Sequence, residues 1–170
     1  MQQVERILKK INTTCAIIAE ILVILIVLLV VVEIVGRFIF GHPIPGQVEI
    51  ATLSLVVIVY LGVAYTQMLD GHIRVDVLIS RVKGAKREFL EAFVLVIALF
   101  TTLMMSWATG KRAIESTMTH EFVTGVVNFP IWPGRCTVTF GFLLLSLTLI
   151  IQITRRLLNV FDLLNRGDNN

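Results

Sequence analysis

The sequence predicts an all-α integral membrane protein of four long, tilted transmembrane helices, with amphipathic surface helices at the N-terminus and in the middle loop. Three observations predict it. Of 170 residues, 56% are hydrophobic and 16% charged, too little polar surface to cover a soluble domain of this size. Four windows reach the roughly 20 apolar residues that cross about 30 Å of hydrocarbon. Basic residues gather in alternate connecting segments, the pattern that orients a chain in a bilayer.

The first window, 15–35, is interrupted only by Glu20 and Glu33; windows 50–69, 92–110 and 136–154 contain no charge. The spans are placed at about 13–36, 49–69, 88–110 and 133–155 of one membrane domain covering 1–170, which leaves no room in this sequence for a separate soluble domain. The first apolar run is too long for the core of a signal peptide, and no small-x-small cleavage site follows it, so it is expected to remain as a span. Ahead of it, Val4, Ile7, Leu8 and Ile11 fall at helical spacing among Glu5, Arg6, Lys9 and Lys10. This predicts a short helix in the membrane surface.

Short loops rich in lysine and arginine stay cytoplasmic. The N-terminal segment carries three basic residues, the loop after the second span five, and the C-terminal tail three; Arg37, Lys111, Arg112 and Arg135 are the four on the other side. Eleven against four puts both termini and the middle loop in the cytoplasm. The net charge of +3 then reports topology and does not call for nucleic acid.

The middle loop contains "DGHIRVDVL" (70–78), charged in a chain that otherwise avoids charge. Asp76 is read as the cap of a short amphipathic helix, with Val77, Leu78, Ile79 and Val82 on one side and Gly84 ending it. This segment serves either as a topogenic loop or as a docking surface for another subunit.

Within the first span, Glu33 and Arg37 are four apart, share a helix face and are expected to pair near the outer interface. Glu20 lies about 20 Å from Glu33 along the helix. If the span sits outward, Glu20 snorkels; if it sits inward, Glu20 is buried and needs a partner or a proton. The outer turn "FGHPIPGQVEI" (40–50) is rigid, with Glu49 well placed at a helix N-terminus, and "FPIWPGR" (129–135) does the same before the last span, where Trp132 anchors at the interface. The third helix is expected from about 87 to 118, roughly 45 Å, long enough to tilt or project. Small residues including Gly62, Ala64 and Gly141 permit close helix contact.

Chemistry is not indicated. Haem ligation needs histidines facing one another inside helices, but His42, His72 and His120 lie in loops. Cys15 and Cys136 fall at opposite faces, too far apart for a disulfide, and read as buried structural thiols. No phosphate loop, metal cluster or nucleophile constellation appears, so no enzyme and no cofactor are expected.

In their order and spacing, "GRFIFGHPIPGQVEI", "YLGVAYTQMLDGHIRVDVL" and "FPIWPGRCTVTFGFLLL" resemble the small (Q-type, DctQ-like) membrane subunit of tripartite ATP-independent periplasmic (TRAP) transporters, over about 34–161. The matching positions include Arg37, Glu49, Gly62, His72, Asp76, Pro130, Trp132 and Gly141, and Arg74, between His72 and Asp76, is with them a candidate for fixing the cytoplasmic end of the second span against another subunit. Where many relatives have a tryptophan and a second acid before the glutamate, this chain has Pro45, Gly46 and Gln47.

The resemblance implies a bacterial inner-membrane subunit that scaffolds a large, elevator-type (M-type) subunit. It implies sodium at that large subunit and sodium-driven uptake of a small organic anion, a carboxylate or sulfonate, delivered by a periplasmic (P-type) binding protein. Lipids fill the remaining surface, and Lys111, Arg112 and Arg135 are candidates for docking the binding protein, with Glu49 beside them. Two alternatives stay open: an independent four-helix proton-coupled exporter or channel using Glu20, and an anchor for another complex.

Overall fold

The structure is a computed structural model describing residues 2–69, 85–119, 121–123 and 127–167. It contains α1 (Gln2–Phe40), α2 (Gln47–Met68), α3 (Ala85–Thr119) and α4 (Trp132–Gly167). Two-residue strands β1 (Phe122–Val123) and β2 (Phe129–Pro130) pair antiparallel between α3 and α4. Each helix holds a segment apolar and long enough to cross a membrane: Glu5–Phe40, Gln47–Met68, Leu90–Thr119 and Trp132–Leu158. The chain is therefore a multi-pass membrane protein. The expected middle-loop helix, with His72, Arg74 and Asp76, lies outside the described residues.

The N-terminal segment is helical as its spacing predicts, but it runs without a break into the first span. No glycine or proline precedes Gly36, so no residue before it forces the helix to end. Asn12, at the junction, turns its amide inward, Nδ2 donating to Thr148 Oγ1 at 3.1 Å. At about 1.5 Å per residue, the 39-residue helix is about 58 Å long.

The helices stand in a row, in the order α1–α2–α4–α3, rather than closing into a ring. Among the described residues α1 makes no substantial contact with α3, and it meets α4 only near the end where α1 begins and α4 finishes, called here the terminal end. The opposite, hairpin end carries the α1–α2 turn and the β pairing. Between α2 and α4, which run parallel, glycines open a seven-residue stride: Gly134 sits against Leu53 and Gly141 against Tyr60. A Cβ at Gly141 would fall onto the Tyr60 carbonyl, with its carbon 2.9 Å away, so only glycine lets the two backbones approach. Tyr60 and Phe142 rings meet edge to face at 5.3 Å.

Between α3 and α4 the contacts are also small. Ala92, Ser106 and Ala113 are buried, and Ser146 Oγ lies 3.3 Å from Thr102 Oγ1. The densest packing gathers Cys15, Ala64, Leu144, Leu145 and Leu149 from three helices. A third of the most apolar window of α4 is buried, against 6–17% in the other spans. Thus α4 organises the domain, and α1 and α3 form its edges.

Candidate functional site

At the terminal end, α4 makes polar contacts with all three other helices. Thr148 accepts from Asn12 of α1. One turn further, Gln152 Nε2 donates to the Gln67 carbonyl at 2.9 Å, while Gln67 Nε2 donates back to Gln152 Oε1 at 2.6 Å. Arg156 Nη1 lies 2.9 Å from Glu91 Oε2 of α3, whose side chain is nearly buried, and Arg155 pairs with Glu5 of α1. The helical period explains the fan: positions 148, 152, 155 and 156 lie on adjoining faces of one helix. Asn12 Oδ1 is buried with no donor among the described residues.

At the hairpin end the contacts are more local. Glu33, buried at 3% exposure, accepts from Arg37 Nε at 2.9 Å on the same helix, the pair expected from their spacing. Pro43, Pro45, Gly46 and Glu49 enclose a half-open cleft beside that pair. Gly46 has φ 85 and packs under the α3–α4 connection, where a Cβ would lie 2.9 Å from the Phe129 ring. Glycine is required there twice, by the backbone conformation and by space. Glu49 stands in the first turn of α2.

The outer basic residues separate into two kinds. Arg135 is held within the chain: its Nη1 lies 2.7 Å from Glu121 Oε2 and donates to the Arg112 carbonyl at 3.4 Å. The Glu121 contact is an ion pair by distance without hydrogen-bond alignment. Lys111 and Arg112 are exposed, with Lys111 Nζ 5.1 Å from the Trp107 ring centre. Pro130 opposes Phe122 in the β pairing, and Trp132 opens α4 partly exposed.

Other expectations fare differently. Gly62 is not a point of close approach, for a Cβ there would meet nothing within 4 Å; that side of α2 faces outward. Cys15 is buried, but Cys136 is exposed on the open side of α4, so only one thiol belongs to the core. Glu20 is exposed on α1. Gln67, Gln152, Asn12 and Glu91 escaped notice in the sequence; a polar amide within an apolar span is the signal that could have found Gln67 and Gln152, whereas Asn12 and Glu91 sit in polar stretches at the span ends and give no such signal.

These features define a multi-pass membrane subunit in an open helical row, its two ends held by polar contacts. Compared with known families, residues 26–159 match the DctQ component of tripartite ATP-independent periplasmic transporters, and the chain belongs to that family. That family is a transporter component, and membership implies association with a large membrane subunit and a binding protein. A comparison with curated proteins returns no match.

Proposed function

We propose that this chain is the scaffold of its transporter: it holds the large, elevator-type subunit in the membrane while that subunit carries substrate and sodium. The system takes up a small organic anion, a carboxylate or sulfonate, from a periplasmic binding protein, driven by the sodium gradient across a bacterial inner membrane. The observation that carries this reading is the open row. Most of the apolar side-chain surface of the described helices faces outward, free for another subunit or for lipid.

The charge asymmetry supports cytoplasmic termini, which sets the hairpin end, with Lys111 and Arg112, on the side where a binding protein arrives. His72, Arg74 and Asp76 would then face the cytoplasm and fix the second span against the large subunit. The test is purification of the tagged chain from its native membrane in mild detergent, followed by mass spectrometry. A stoichiometric, many-spanning partner is expected. A stable, self-associated chain that exports substrates alone would replace this reading with that of a small exporter.

A further inference from the structure

Glu20 has no partner among the described residues, and its depth follows from the helix register. Asn12 and Thr148 are hydrogen-bonded, so they lie at one level. Arg156, paired with Glu91, is eight residues beyond Thr148 towards the terminal end. Glu20 is eight residues beyond Asn12 in the opposite direction. At about 1.5 Å per residue, Glu20 therefore lies about 24 Å from the Glu91–Arg156 level and about 20 Å from Glu33. With charged pairs marking both levels, its carboxyl sits near the middle of the hydrocarbon.

It points away from the other described helices. The inner face of α1 is Asn12, Cys15, Ala16 and Ala19, all buried, whereas Ile17, Ile24 and Val27 around Glu20 are 51–61% exposed. From this depth the side chain is too short to reach either interface. A carboxyl facing acyl chains is strongly disfavoured, and such residues face protein or water. Neither is supplied here by α2, α3 or α4, because α1 is an edge of the row.

We infer that the Glu20 face of α1 is covered by a transmembrane helix of the large partner subunit, which presents an N–H or O–H donor to the Glu20 carboxyl at mid-membrane. This rests on the scaffold reading and adds to it the edge, the depth and the chemistry of the contact. Among exposed positions of α1, Glu20 alone places a hydrogen-bonding requirement deep in the apolar surface, and that requirement fixes the register of the partner helix.

The test uses the full chain co-produced with its large subunit, comparing Glu20→Leu with Glu20→Gln. Leucine makes the span more apolar, so insertion is not weakened, whereas glutamine keeps the hydrogen bond. With an interhelical hydrogen bond worth what membrane proteins show, Glu20→Leu should lower recovery of the large subunit about three- to twentyfold, and Glu20→Gln less than about twofold. A photoreactive phenylalanine analogue at Ile24 should cross-link to the large subunit. Unchanged recovery with Glu20→Leu, or cross-linking to lipid only, overturns the inference while wild-type co-purification leaves the scaffold reading standing. Failure of the wild-type chain to bring down any many-spanning partner overturns both.

Discussion

The two ends of the row are held by different means. At the terminal end, side chains far apart in sequence meet across helices: Asn12 with Thr148, Gln67 with Gln152, Glu91 with Arg156. At the hairpin end, contacts close over short distances, as in Glu33 with Arg37, or rely on the backbone of glycine and proline turns. The difference follows from connectivity. Short connections restrain the hairpin end, so backbone geometry suffices there. The terminal end has no such restraint between α1 and α4, and polar side chains supply the register. Helix association in lipid lacks a hydrophobic drive, which makes such side chains informative out of proportion to their energy.

The contrast can be broken at its centre first. Gly141→Leu should separate α2 from α4 and have the largest effect, lowering stability by about 1–3 kcal/mol or more, because the clash is with backbone that cannot rotate away. Thermal denaturation in detergent, followed by the near-ultraviolet signal of the Tyr60–Phe142 pair, would measure it; an unchanged melting temperature would refute the glycine seam. Next, Arg156→Leu should cost about 1–3 kcal/mol, less than for a fully buried pair because a quarter of Arg156 is exposed. The Glu91→Leu/Arg156→Leu double variant should recover part of that loss, and a double-mutant cycle with no coupling would show that the pair holds nothing together.

The hairpin end is probed by Gly46→Ala, which forces a side chain into a left-handed conformation and towards Phe129. A loss of about 1–2 kcal/mol is expected, seen as easier proteolysis of the outer turns with the terminal end unaffected. Replacing Gln67 and Gln152 together by leucine should change stability by only about 0.6 kcal/mol. The smallest effect belongs to Glu5–Arg155, an exposed pair of the kind that often contributes nothing measurable, and whatever it contributes should vanish in high salt. If removing that surface pair proved as damaging as Arg156→Leu, the ranking of the two ends would have to be redrawn.

Much of this was readable in the residues. Four spans follow from hydropathy because a bilayer permits little else, and the Glu33–Arg37 pair follows from helical period alone. Gly141 was legible as a small residue but not as a specific contact, since which glycines meet backbone depends on helix order; Gly62 looked equivalent and faces outward. The row itself was hidden, because apolar side chains satisfy a lipid neighbour and a protein neighbour equally well. Nor could spacing show that Arg135 is held by Glu121 while Lys111 stays exposed, for that depends on the fold of the α3–α4 connection.

A closed bundle must open before it can accept another helix, but a row already has free edges. A further chain can dock on α1 or α3 without displacing any contact that holds these four helices together. Such a subunit can fold first and be joined afterwards, and its partner's arrival need not wait on, or undo, its own folding.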